Sequence, residues 1–167
     1  MFKNFLKRSV GVIVFTFTVL ILVYSCSTDK DNTAKIKAAM TEMKASANKL
    51  GDPTVIKDSL FFGTTLMNNN FELIDNLHKK YECTATFFVR NGNEFIRIST
   101  DVMNEGQRAL GTNLDPNGPV IKEIINGKSF YGNVDILGSK YEAGYEPIIS
   151  KDGSVIGAFY VGYKTVK

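Results

Sequence analysis

The sequence predicts an α+β domain in which a long N-terminal helix precedes an antiparallel sheet of about five strands. Three observations carry this. Apolar residues recur twice at helical spacing before residue 82, the period then switches to two, and turn signals cut the later runs into hairpins. With 167 residues, 44% of them hydrophobic and 22% charged, the chain has room for one good core and not for two.

The elements follow in order. "TAKIKAAMTEMKASANKL" (33–50) sets Ile36, Met40, Met43, Ala47 and Leu50 at spacings of three and four with lysines opposite, an amphipathic helix whose methionines read as a core face. Gly51 is placed to take a left-handed cap, and Pro53 bars continuation. "DSLFFGTTLM" reads as a strand pair, or one irregular strand, broken at Gly63. "NNNFELIDNLHKKY" puts Phe71, Ile74, Leu77 and Tyr81 on one helical face with an asparagine available as N-cap. "TATFFV" and "EFIRIST" flank "RNGN", and Asn-Gly between two apolar runs is a strong hairpin signal. The expected buried positions of that pair are Phe87, Val89, Ile96 and Ile98.

"DPNGPVIKEIINGK" gives a turn, a short helix through Val120, Ile121, Ile124 and Ile125, and a cap at Gly127. "SFYGNVDI" and "KYEAGYEPII" pair through Leu137 to Ser139, and "SKDGS" turns into "VIGAFYVGYK". Pro147 requires its strand to be an edge or to bend there.

Ahead of the domain, Lys3, Lys7 and Arg8 precede an uncharged apolar run from Val10 to Val23, short for a bilayer, which needs about 20 apolar residues. "VYSC" resembles a bacterial lipobox, where cleavage frees a cysteine for lipidation, although Tyr24 stands where a small residue is usual. Residues 1–25 are therefore expected to be a signal peptide or a membrane anchor. Residues 26–33 are the lipidated Cys26 and its polar tether, and residues 34–167 form a single domain. An uncleaved anchor and plain secretion are the alternatives. The 20 basic residues less Lys3, Lys7 and Arg8 leave 17, equal to the 17 acidic ones, so the net charge of +3 belongs to the leader. No basic stripe remains for a phosphate backbone, and no nucleic-acid partner is expected.

Chemistry-bearing motifs are few. Cys83 reads as a small buried hydrophobe and His78 as a surface helix position, with no second histidine for a metal. There is no Gly-x-Ser-x-Gly, no Cys-His couple and no base for Ser99, so neither catalysis nor a cofactor is expected. The candidates are binding residues. In "EFIRIST", Phe95, Arg97 and Ser99 alternate with Ile96, Ile98 and Thr100; the isoleucines belong in a core, and Arg97 points to solvent or into a pocket. Tyr141, Ala143 and Tyr145 share a strand face that Tyr131, on the preceding strand, could approach, lining a pocket or forming an aromatic ladder. Arg108 either fixes its own loop by bonding backbone carbonyls or touches a ligand.

The run from "LGDPTVIKDS" to "EFIRIST", followed by Arg-x-Leu-Gly-Thr-x-Leu-Asp-Pro from Arg108, Tyr131-Gly132, and "ILGSKYEAGYEPI", resembles the single Cache sensor domains of the Cache 3/Cache 2 fusion type over Thr33 to Lys164. Glu82-Cys83 departs from the small residues usual before Thr-Ala-Thr. The resemblance implies a PAS-like fold, a helix behind a sheet whose other face cups a small ligand. It also implies a location in the bacterial cell envelope, facing the periplasm or exterior. It sets Arg97 on the ligand side, with Ser99, Tyr131, Tyr141, Tyr145 and Arg108 as further ligand-binding candidates, and a small organic acid as the ligand. Guanidinium offers a carboxylate a planar fork. Such domains usually sit between two membrane helices and drive a chemoreceptor, kinase or cyclase. Here "VGYKTVK" follows the last strand directly, so the expectation is a protein without its own output domain that hands its ligand state to a receptor or kinase partner. The alternative is an interaction module with a collapsed pocket, docking a membrane receptor.

Overall fold

The computed structural model describes residues 32–165. The expected leader, the lipidated Cys26 and most of the tether lie outside the described residues.

Helix α1 spans Thr33–Leu50, as its spacing predicts, and buries Ile36, Ala39, Met40, Met43 and Ala47, while Leu50 is exposed. The cap differs from expectation. Gly51 has φ 130° and ψ −173° and is not in the left-handed helical conformation. The cause is a close backbone approach: a Cβ on Gly63 would sit 2.1 Å from the Leu50 carbonyl oxygen, and one on Gly51 2.6 Å from the Gly63 Cα. Three short strands follow, β1 (Pro53–Ile56), β2 (Ser59–Phe62) and β3 (Thr65–Leu66), forming a small antiparallel sheet in that order. Its second and third strands are the predicted pair, and the first was not anticipated.

Helix α2 (Glu72–Tyr81) buries Ile74 and Leu77, and the Asn70 carboxamide oxygen accepts the Glu72 N–H at 3.3 Å. Strands β4 (Thr84–Asn91) and β5 (Glu94–Thr100) pair antiparallel. Their turn sits one residue later than the Asn-Gly signal suggests. Asn91 pairs with Glu94, and of the central residues Gly92 and Asn93 only Gly92 has positive φ, at 60°, the pattern of a II′ turn. Phe87, Val89 and Ile98 are buried as predicted, and Ile96 is half-buried.

A two-stranded ribbon, β6 (Met103–Asn104) with β7 (Gln107–Arg108), leads through a loop to α3 (Pro119–Ile125). Gly127, at φ 71°, ends α3 as predicted: its N–H bonds the Ile124 carbonyl at 3.0 Å and the Lys128 N–H bonds Glu123 at 2.9 Å. Strands β8 (Phe130–Ile136), β9 (Ser139–Ile149) and β10 (Val155–Lys164) complete a five-stranded antiparallel sheet of order β5-β4-β10-β9-β8. Leu137 and Gly138, at φ 51° and 79°, turn β8 into β9. The last β8 partner on β9 is Tyr145, so Pro147 lies where β9 has become an edge.

The sheet separates two apolar clusters. One, under α1 and α2, centres on Phe62, Phe87 and Phe159, with ring centroids 5.5–6.0 Å apart. The other, under α3, contains Phe88, Phe95, Tyr141, Tyr145 and Tyr160. This helix-backed antiparallel sheet is the PAS-like arrangement. Strand β9 serves both sides. Tyr141, Ala143 and Tyr145 face the α3 cluster. Glu142 accepts the Asn32 N–H and the Thr33 hydroxyl, each at 3.0 Å, and Glu146 takes Lys44 of α1 and the Tyr131 hydroxyl.

Candidate functional site

The site begins with one misfit in an apolar strand. Arg97, on β5, is 3% exposed, and its guanidinium lies 4.9 Å over the Phe88 ring. Its Nη1 donates to the Thr112 hydroxyl, which in turn donates to the Ala109 carbonyl at 2.8 Å. Its Nε is cut off from solvent and has no acceptor among the described residues. Burial pulls the guanidinium's pKa below its ordinary value, a cost partly offset by the neighbouring Tyr145, Tyr160 and Tyr141. Leaving such a donor unmade costs about 1–3 kcal/mol, more for a charged group. A fold retains that cost where the group has other work.

The loop after β7 frames this charge. The Arg97 N–H donates to Thr112 and the Gly111 N–H to the Arg97 carbonyl, both at 2.9 Å, and the Leu114 N–H bonds Phe95 at 2.9 Å. The "GTNL" of the ordered motif thus lines the free edge of β5. Arg97 and Tyr145 form part of a cavity of about 300 Å³. Leu114, Val120 and Ile136 supply buried apolar wall, and the exposed Asn113, Asp115, Asp135 and Gly138 stand at its mouth. The volume suits a small molecule at the low end of the usual range.

Of the residues singled out from the sequence, Arg97, Tyr141 and Tyr145 come together. Tyr141, Ala143 and Tyr145 share a face as expected, and Tyr145 lies 4.9 Å from Tyr160, ring to ring, at the cavity's buried side. Burial raises the pKa of all three phenols, so they are neutral hydrogen-bonding groups at physiological pH.

Three residues are elsewhere. A bulge breaks the alternation of β5: Arg97 opposes Phe88, but Ser99 opposes Phe87 and so faces the helical side. Ser99 donates to the Asn70 carbonyl at 2.6 Å. Thr100 takes the other face, its hydroxyl 2.6 Å from that of Thr86. Tyr131 is displaced by register. It pairs with Gly144, whose missing side chain leaves room for its ring, and Phe130 is the residue opposite Tyr145. Tyr131 therefore lies toward α1, under Lys37 at 5.5 Å. Arg108 bonds the Thr100 carbonyl at 2.8 Å and both carboxylate oxygens of Asp75 on α2 at 2.8 and 3.0 Å, over the Phe71 ring. It clamps the ribbon to α2, the fixing role with a carboxylate added. Arg108→Ala is expected to lower stability by about 1 kcal/mol, since the pair is partly exposed, and to leave binding in the cavity unchanged. Denaturant unfolding and calorimetry on one preparation check both halves.

Cys83 is buried as expected, and desolvation first, with the nearby Asp101 second, pushes its thiol up to about 12. His78 Nδ1 lies 2.9 Å from both Asp101 and the Cys83 carbonyl, on the surface of α2. Among the described residues no group of acidic, histidine or cysteine side chains could hold a metal, and no helix is long and apolar enough to cross a membrane.

Sequence reasoning singled out neither Asp115 nor the β8–β9 turn as part of the site. "LDPNGP" was legible as a turn, but which strand edge it follows depends on the pairing of "GTNL" with β5. No curated protein matches the sequence. Among solved structures it is similar to the crystal structure of the E. coli DcuS sensor domain, with 16% identity, a TM-score of 0.44, and coverage of 77% of this chain and 90% of that one. The model of the Cache 3/Cache 2 fusion domain matches residues 9–167, and the chain accordingly belongs to that family of extracytoplasmic sensor domains.

Proposed function

We propose that the domain binds a small organic carboxylate in the cavity beside Arg97 and passes its ligand state to a receptor or kinase. The observation that carries this is the guanidinium itself: a buried charge with an orphaned Nε on the wall of a 300 Å³ cavity. A carboxylate offers what that group lacks, a negative charge and acceptor lone pairs in one plane. Tyr145, and Tyr141 in the same cluster, are neutral phenols suited to complete its orientation. A thermal-shift screen of organic acids tests the reading. A ligand at 100 times its dissociation constant adds about 2.7 kcal/mol. If no organic acid stabilises the protein, the reading fails and the docking-module alternative takes its place.

We further propose that the chain is held at the bacterial envelope through lipid on Cys26. The support is the basic, apolar, then small-residue order of the leader and the polar "STDKDN" after it. Lipoprotein acylation adds two or three chains, enough for stable anchoring where one is marginal. Mass spectrometry of the native protein is expected to show loss of the first 25 residues and added acyl mass. An intact Met1 would replace this with the uncleaved anchor.

A further inference from the structure

The charge lining the cavity is not that of a simple anion site. Besides Arg97 it carries two carboxylates, Asp115 and Asp135, so its formal charge is negative. Neither carboxylate pairs with Arg97. Asp115 takes the Asn117 N–H on one oxygen at 2.9 Å, and its other oxygen has no hydrogen-bond partner among the described residues. Asp135 takes the Gly138 N–H at 2.9 Å and meets Lys140 at 3.2 Å, a pair in which both side chains are about half exposed or more. Those two contacts hold the Asp135 carboxyl below its usual range, so it is ionised. The cavity lining thus combines one buried cation, Arg97, with two exposed carboxylates and the buried apolar side chains of Leu114, Val120 and Ile136.

We infer that the ligand is a small zwitterion, an acid that also bears a protonated amine, its carboxylate on Arg97 and its ammonium on Asp115, with Asp135 as the second acceptor. This rests on the carboxylate reading above and narrows it. A bare monocarboxylate answers only Arg97 and brings a third negative charge to a lining that already holds two aspartates. A neutral molecule answers neither. An ammonium group supplies three donors and no acceptor, the complement of a carboxylate mouth. The Asp135–Lys140 pair does not prevent this, because exposed ion pairs hold weakly and exchange partners readily.

Matched pairs of acids differing only in the amine test it on the full-length protein: alanine against propionate, and 4-aminobutyrate against butyrate. In calorimetry, at least one amine-bearing member is expected to bind about tenfold or more tighter than its amine-free partner. Asp115→Asn, which keeps the acceptor for Asn117, is expected to remove most of that preference and leave the amine-free acid unaffected or slightly improved. Asp135→Asn is expected to remove a smaller part. Amine-free acids binding as tightly as their partners, or an undiminished preference in both variants, overturns the zwitterion while the Arg97 carboxylate site stands. Binding in neither series overturns both.

Discussion

Arg97→Met is expected to weaken carboxylate binding by roughly 10- to 100-fold while the domain folds at least as stably as the parent. The first half follows from the 1.5–3 kcal/mol a charge-assisted hydrogen bond contributes, with a factor of ten for every 1.4 kcal/mol. The second follows from the state of the group without ligand. Arg97 is desolvated, its Nε is unpartnered, and no carboxylate pairs with it. Replacing a buried charge with an apolar side chain of similar reach is often neutral or stabilising. A stable protein that no longer binds separates a ligand anchor from a structural cation. Arg97→Lys should recover only part of the loss, because it restores the charge without the fork. Calorimetry with the best acid from the screen, beside thermal melts of both variants, decides it. If Arg97→Met binds like the parent, Arg97 is no anchor and the cavity assignment falls.

Phe87→Ala is expected to destabilise the domain by about 3–5 kcal/mol, a large share of the 5–15 kcal/mol usual for a domain. Phe87 is fully buried on the helical side of β4, its ring centroid 6.0 Å from that of Phe62 and 5.5 Å from that of Phe159. Those partners come from the small sheet and the last strand, so the void is walled by elements that cannot all close on it. Denaturant unfolding measures the loss. A cost under about 1 kcal/mol would remove Phe87 from the centre of that core.

Much of this fold was readable before any coordinates, for physical reasons particular to each element. The spacing of Ile36, Met40, Met43 and Ala47 gives α1 to the residue, because one helix face is buried along its whole length. Tyr141, Ala143 and Tyr145 keep strict alternation because that part of β9 lies between two strands with no bulge. The failures occur where period two is broken or where register decides. One extra residue in β5 moves Ser99 to the opposite face from Arg97, and nothing in "EFIRIST" marks it. Whether Tyr131 approaches the face of Tyr141 and Tyr145 turns on whether it opposes Tyr145 or Gly144, and a one-residue difference in register reverses the answer. The exposed part of the cavity lining was least legible, since Asp115 and Asp135 come to line one cavity only through the folding of a loop and a hairpin separate in the chain. Arg97 stood out throughout, because a charge among β-branched and aromatic residues is costly to bury without purpose.

Strand β9 is a beam fastened on both faces. Tyr145 looks into the cavity, and the next residue, Glu146, is held by Lys44 of α1, while Glu142, next to Tyr141, holds the start of the same helix. Adjacent Cα atoms are about 3.8 Å apart and joined by a planar, rigid unit. A shift of the strand by a fraction of an ångström on one side therefore reaches α1 across a single peptide, with no loop in between to absorb it. The work transmitted is bounded by how much better the ligand fits one placement of β9 than the other. A ligand that binds tightly but equally to both would leave the helix where it was.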